Sequence, residues 1–347
     1  MAEIGAQLRT ESLRTLIEQY DLAAPVTPFA LSQGVNNPTF GIHTATADYA
    51  LKIHPSYAAL DAIEYEHALV RWLAGQNLSF DLPLPLQTRV GDWVCSIAEG
   101  WATLVPLLPG QAPEFRLVNG QRHPRIHGHA ALLGSALGEL HTAIRRYPAL
   151  PRPGRALFQL FFQFPQSNID PLTLAPKDLG LAPASPAAPL LRWWREEAGM
   201  LQRFLQTQYP LLPQHICHND YAAPNILLHN DRVSAILDFE FAAPAARALD
   251  VAMALRMCMQ IEAENPEPWE VTRCFRQAYA QWIRLTDPEI RALPLLIRLR
   301  TALPLAWALR RPVPVGAENI LLALGRMQRT ARWLARHERQ FHSLLHG

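Results

Sequence analysis

The thirty residues from 215 to 244, HICHNDYAAPNILLHNDRVSAILDFEFAAP, constrain the chain more than any other stretch. Ile226 to Leu228 and Val233 to Leu237 are short β-prone runs, and His229-Asn230-Asp231-Arg232 between them reads as a hairpin turn. A hairpin brings its two ends together. Asn225, just before the first strand, and Asp238, just after the second, are therefore expected at one edge, although they lie thirteen residues apart. Asp220 stands five residues before Asn225. Amide and carboxylate oxygens are hard ligands suited to Mg²⁺, which takes one or two protein oxygens together with waters and phosphates. A further carboxylate that does not bind the ion can accept a proton from an attacking hydroxyl. Taken singly, these three residues are turn and cap formers; the spaced triple is what points to chemistry.

A compositional oddity bears on one more position. The chain of 347 residues carries 32 basic side chains, of which only Lys52 and Lys177 are lysine. Wherever either cation would serve, this sequence uses arginine, so each lysine raises a question about its place. The charges nearly balance at a formal +2, which gives no reason to expect a nucleic-acid or membrane-surface partner. Apolar types make up 49% of the residues, enough for a sizeable core. Cys95, Cys217, Cys258 and Cys274 are widely spaced and suggest neither disulfides nor a zinc ribbon. With no apolar leader at the start and no run of about 20 apolar residues, a soluble, cytoplasmic chain is expected.

Along the chain, residues 5–20 read as an amphipathic helix with Leu8, Leu13, Leu16 and Ile17 on one face. VTPFALSQ and DYALKIH read as strands, with turn formers between them. Ala59 to Ala74 is helical, and LPLQTRV and DWVCSIA read as two strands joined by a Gly91-Asp92 turn. ATLVPLLPG is a strand broken by proline. Helices follow at 127–146, 190–209 and from about 247 onward, with a proline-rich segment at 147–189. The pattern predicts an α+β protein of two parts, a β-rich lobe over residues 1–107 and a mainly helical lobe over 108–347.

The run HNDYAAPNILL…AILDFEFA resembles the aminoglycoside phosphotransferase, choline kinase and homoserine kinase superfamily of small-molecule kinases. There, H-G-D-x-x-x-x-N and D-F/W-E stand where protein kinases have their catalytic-loop and metal-binding signatures. ARALDVAMAL resembles the downstream segment in which an aspartate, here Asp250, supports the catalytic loop. Asn219 replaces the usual glycine, and asparagine tolerates left-handed backbone better than most residues. The resemblance implies a bilobal protein-kinase-like fold and transfer of the γ-phosphoryl group of ATP to a hydroxyl of a small molecule. Asp220 would be the catalytic base, with Asn225 and Asp238 as ligands of Mg²⁺. Lys52, at the end of DYALKI, would reach the α/β-phosphates, where a compact ammonium is not freely replaced by a guanidinium. Glu66 is the favoured partner of Lys52, six residues before Trp72-Leu73, with Glu64 the competing candidate. SQGVNNPTFG occupies the place of the phosphate-covering loop, with Gly34, Asn36, Asn37 and Thr39 as candidate contacts. The backbone from Val105 through Leu107 to Leu108 would meet the adenine edge.

Other readings weigh less. His218 is expected to be a structural hydrogen-bonder. A metal-hydrolase cluster at His215, His218 and Asp220 lacks further ligands at the required spacing. The acidic run 261–267 and Arg310, Arg311, Arg326, Arg329, Arg332 and Arg336 read as solvated helix faces. Trp193, Trp194, Trp269, Trp282, Trp307 and Trp333 read as core. For the acceptor, the N-terminal layout favours a homoserine-kinase-like enzyme over an aminoglycoside kinase. An ATP-binding pseudokinase is the reading from another class, disfavoured because every expected catalytic position is filled.

Overall fold

A computed structural model describes residues 10–31, 39–54, 58–115, 123–148, 173–261, 268–310 and 316–346, with backbone alone at 304 and 306–310. The chain divides into two compact units, one of residues 1–111 and 227–240, the other of residues 112–226 and 241–347. The sequence reading places a single boundary after residue 107; the hairpin segment 227–240 belongs with the first unit.

In the first unit, strands β1 (Thr27–Ala30), β2 (Thr39–His43), β3 (Asp48–Ile53), β4 (Cys95–Ile97) and β5 (Gly100–Pro106) form an antiparallel sheet of order β1-β2-β3-β5-β4. Alternation along β3 sends Leu51 and Ile53 to one face and Lys52 to the other. The Leu51 face is covered by helix α1 (Thr10–Gln19) through Leu16 and Tyr20. Each such buried aliphatic side chain contributes about 1.5–3 kcal/mol over its exposed state. Ser12 and Leu16 of α1, with Tyr20 just after it, are buried, whereas Ile17, expected on the apolar face, is 37% exposed. Residues 5–9 of the expected helix lie outside the described residues. Strand β2 lies in the stretch between the two expected strands, which carries turn formers and β-branched residues. Its Gly41 sits opposite Phe29 of β1, and a Cβ there would come within 2.1 Å of the Phe29 ring.

Helix α2 (Leu60–Ala74) buries Ile63, Leu69, Val70 and Leu73. The segment LPLQTRV is not a strand, which corrects the sequence reading. Pro85 in it, like Pro83 just before it, has no N–H to give a ladder, and the segment contributes the bond from Leu86 N–H to Leu104 O at 2.8 Å. Strand β4 pairs instead with β5, Cys95 opposite Ala102. The turn at Gly91-Asp92 is present, with Gly91 at φ +93° and Thr88 N–H donating to Asp92 O.

The hairpin of β7 (Ile226–His229) and β8 (Arg232–Ile236) turns through Asn230 and Asp231, at φ +51° and +55°. Both central residues of a type I′ turn need positive φ, which Asn and Asp tolerate. Within the first unit, Gln111 and Leu228 exchange backbone hydrogen bonds of 3.0 and 2.8 Å, and Ser234 Oγ donates to Pro109 O at 2.6 Å.

The second unit is mainly helical: α3 (Ile126–Ile144), α4 (Ala188–Thr207), α5 (Ala248–Met259), α6 (Pro268–Ala280), α7 (Asp287–Arg310), α8 (Ala317–Arg336) and α9 (Glu338–His346). A short antiparallel pair, β6 (Gln214–Cys217) with β9 (Ala243–Ala246), stands among them. His215 is thus a strand residue. Helix α3 packs closely on α6 because Gly134 has no Cβ; one would come within 2.2 Å of Phe275 O. Trp194 is fully buried, but Trp282, expected in the core, is 44% exposed and donates its indole N–H to Ser135 Oγ. Arg326, Arg329, Arg332 and Arg336 are exposed as expected. The Arg310 and Trp307 side chains, Arg311 and residues 262–267 lie outside the described residues, as does 149–172 of the proline-rich segment. No helix among the described residues is long and apolar enough to cross a membrane.

Candidate active site

In the first unit, Lys52 projects from β3 toward α2 and toward the residues just past β8. Its Nζ lies 2.8 Å from Asp238 Oδ1, 3.3 Å from Glu66 Oε1 and 3.6 Å from Glu240 Oε2. Glu64 is exposed on another side of α2, so Glu66 is the helix carboxylate that reaches the lysine. Burial pulls the Lys52 ammonium down, but the three carboxylates outweigh it and hold it well above its ordinary value. Burial lifts the Glu66 carboxyl to about 7 although Lys52 pulls the other way. The ammonium is therefore permanently charged, while the carboxyl most deeply packed against it can carry a proton near neutrality. Asp238 has φ +60°, a left-handed turn at the end of β8.

Glu240 was not among the predicted site residues. Its signal was the third letter of the Asp-Phe-Glu run. Val105 lies in β5 opposite Ala50. The Leu107 N–H donates to Asp48 O at 2.9 Å. The next residue, Leu108, lies outside any strand. Gly34, Asn36 and Asn37 lie outside the described residues; Thr39 opens β2 opposite Lys52.

In the second unit, the loop between β6 and β7 is held from beneath. Asp250, fully buried in α5, accepts N–H bonds from His218 and Asn219, each at 2.8 Å. Its Oδ2 also meets His141 Nε2 at 3.2 Å, and His141 Nδ1 meets the Tyr279 hydroxyl at 2.9 Å. Burial pushes the Asp250 carboxyl up, yet His141, His218 and the backbone donor hold it below its ordinary range. Asn219 takes φ +63°, and its Nδ2 donates to Phe241 O and Ala243 O at 3.1 and 3.3 Å. The asparagine thus supplies the left-handed geometry and ties the loop to its neighbour. His218 is a structural hydrogen-bonder, its Nδ1 accepting the Asp220 N–H at 3.1 Å.

Asp220 is fixed on both sides. Asn225 Nδ2 donates to its Oδ2 at 2.8 Å and to its main-chain oxygen at 2.9 Å, and Arg300 Nη2 lies 3.3 Å from its Oδ1. The Asp220 side chain keeps 28% of its surface exposed, so it can meet a hydroxyl from outside. With its amide nitrogen committed to Asp220, Asn225 turns its amide oxygen elsewhere. An amide oxygen such as that of Asn225 is a hard donor of the kind that a divalent ion takes alongside phosphate oxygens, and so, in the first unit, is the carboxylate of Asp238. The sequence reading missed Arg300, an arginine within the apolar stretch LLIRLRTALP of α7.

His141, Cys217 and Asp250 bring one ligand atom each within 4.8 Å of one another. Burial keeps the Cys217 thiol well above its ordinary range, so it does not offer a thiolate, and Cys217 Sγ donates to Ala245 O. Asp250 of this group supports the loop through the His218 and Asn219 N–H groups.

A cation caged by carboxylates beside an antiparallel sheet, and a helical unit presenting an aspartate with an asparagine five residues on, define a protein-kinase-like phosphotransferase of the α+β class. Residues 29–282 match the model of the phosphotransferase enzyme family, and the chain belongs to that family. A homoserine kinase of Bradyrhizobium sp. (strain ORS 278) is 26% identical over 297 residues, covering 85% of this chain and 83% of the relative. Among solved structures, the amicoumacin kinase hAmiN in complex with AMP-PNP, Ca²⁺ and Ami superposes with a TM-score of 0.69 at 16% identity, covering 95% of each chain. An aminoglycoside phosphotransferase of Alicyclobacillus acidocaldarius gives 0.69 at 18% identity, covering 98% of this chain and 99% of that one. The chain is a kinase of this family.

Proposed function

We propose that this kinase phosphorylates the side-chain hydroxyl of a small hydroxy amino acid, homoserine being the favoured acceptor. The observation that carries the reading is the clamping of Asp220 by Asn225 at 2.8 Å in a loop whose backbone is hung on Asp250. In this reading Asp220 orients the acceptor hydroxyl and takes its proton. The acceptor oxygen bonds to the γ-phosphorus as the bridging oxygen–phosphorus bond breaks, and ADP leaves with that bond's electron pair. Asn225 and Asp238 hold Mg²⁺, whose charge neutralises the phosphates. Lys52, steadied by Glu66, positions the α/β-phosphates, and the 34–39 segment covers them, with Gly34, Asn36 and Asn37 as backbone or side-chain donors. The backbone from Val105 through Leu107 to Leu108 receives the base. Positioning and charge neutralisation supply most of the rate in such chemistry.

The homoserine kinase relatives support the acceptor. An aminoglycoside is polycationic and is disfavoured by the guanidinium of Arg300 beside Asp220. The test is transfer of labelled γ-phosphate from ATP to homoserine, choline, methylthioribose and kanamycin in parallel. Transfer to homoserine is expected. Preferred transfer to kanamycin would overturn the acceptor reading, and ATP binding with no transfer to any hydroxyl would favour a pseudokinase.

A further inference from the structure

Arg300 is the least explained charge in the second unit. Its side chain is 3% exposed, and burying a guanidinium is costly unless its fork of donors is met. Its polar contacts are a 3.3 Å approach of Nη2 to Asp220 and bonds of 3.0 and 2.8 Å from Nε and Nη2 to the Met253 sulfur. A thioether is a weak acceptor. Nη1 has no hydrogen-bond partner among the described residues. Burial, with Arg256 of α5 adding to it, depresses the Arg300 guanidinium, while Asp220 and Asp250 pull the other way. It remains a cation, as arginine does in proteins. An ordinary structural ion pair would use the bidentate geometry that Arg247 achieves with Glu289, at 2.6 and 2.8 Å. Arg300 does not.

A small hydroxy acid carries its hydroxyl and its carboxylate a few bonds apart. Asp220 and Arg300 are neighbours of matching polarity, one able to receive the hydroxyl proton and the other to receive the anion. We infer that Arg300 is the residue that selects an acceptor bearing a carboxylate, an inference that rests on the reading of Asp220 as the base of a hydroxyl kinase. Arg256 of α5 lies near enough to add its charge to that of Arg300.

The experiment compares L-homoserine with 3-aminopropan-1-ol, the same amino alcohol without its carboxylate, in wild type, Arg300→Met and Arg300→Lys. Two quantities are read: kcat/KM with ATP, and the Kd of each compound by calorimetry with AMP-PNP present. The wild type is expected to prefer homoserine, and Arg300→Met to lower that preference about 100-fold, mainly through KM and Kd. Arg300→Lys, which keeps the charge and loses the fork, is expected to restore part of it. Equal use of both compounds by the wild type would overturn the inference while leaving the kinase reading intact. Equal losses on both compounds in both variants would also overturn it, making Arg300 a support of the loop alone. Carboxylate-dependent binding that Arg300→Met abolishes, with no phosphoryl transfer to either compound, would uphold Arg300 as the carboxylate contact and overturn homoserine as the acceptor.

Discussion

Both oxygens of Asp250 are engaged by the loop that carries Asp220: Oδ2 by the His218 N–H and Oδ1 by the Asn219 N–H, each at 2.8 Å. A carboxylate that accepts two backbone donors in a fully buried site acts as a fixed floor under the loop. Its own orientation is set by His141, which Tyr279 orients in turn.

Replacing Asp250 with Asn puts an amide NH₂ against a backbone donor and strands a buried N–H. The expected cost is on the order of 3 kcal/mol of stability, with kcat falling as Asp220 loses its fixed position. Urea unfolding and steady-state turnover measure the two effects; a variant with wild-type values for both would refute the role.

Lys52 sits among three carboxylates, Asp238 the nearest. A guanidinium is larger and planar, so Lys52→Arg is expected to lower kcat/KM for ATP by about 100-fold. Glu66→Gln should be milder than Lys52→Ala, because the Glu66 carboxyl, lifted to about 7, already reaches its neutral form near physiological pH. Initial rates against ATP concentration check both. The reverse order of losses would contradict the arrangement.

His54 and His67 share the Thr103 hydroxyl in the first unit, at 2.8 and 3.2 Å. Burial, with Lys52 adding to it, pushes His54 down to about 3 and His67 to about 4, from the ordinary 6.5. The unfolded chain therefore binds these protons first. Stability is full above pH 6.5 and is lost as pH falls toward the folded values, at up to about 1.4 kcal/mol per pH unit for each histidine. Urea midpoints between pH 7.5 and 4.5 should fall on acidification, and His54→Gln should flatten the slope. An unchanged slope in that variant would exclude His54 as a source.

Glu289 makes a bidentate pair with Arg247 and also accepts the Thr286 N–H and hydroxyl at 2.8 and 2.9 Å, capping the start of α7. Glu289→Ala strands the buried guanidinium and opens the cap, at an expected cost of about 3–5 kcal/mol. The loss should show in unfolding, with turnover per folded molecule near that of the wild type. A stability change under 1 kcal/mol, as for an exposed pair, would contradict it.

The hairpin from Ile226 to Ile236 was legible because its turn residues state their backbone requirement in their chemistry. Glu66 was legible from its spacing to Lys52 and Trp72-Leu73. The strand expected at LPLQTRV was misread because alternating apolar residues mimic a strand even where a proline, Pro85, removes a donor. Strands β6 and β9 are four residues each, and Ala243–Ala246 consists of alanine and proline, so no periodicity marked them. Arg298 and Arg300 stand two apart on one apolar helix, yet the first pairs with Glu197 and the second turns to Asp220. Only tertiary packing separates them.

The central claim is that Asp220 accepts the proton of an acceptor hydroxyl during phosphoryl transfer. The most direct measurement is single-turnover transfer from labelled ATP to L-homoserine by Asp220→Asn, alongside calorimetric ATP binding by the same variant. The predicted result is a loss of transfer of about 10²–10⁴-fold with nucleotide affinity retained. Transfer at the wild-type rate by this variant would contradict it.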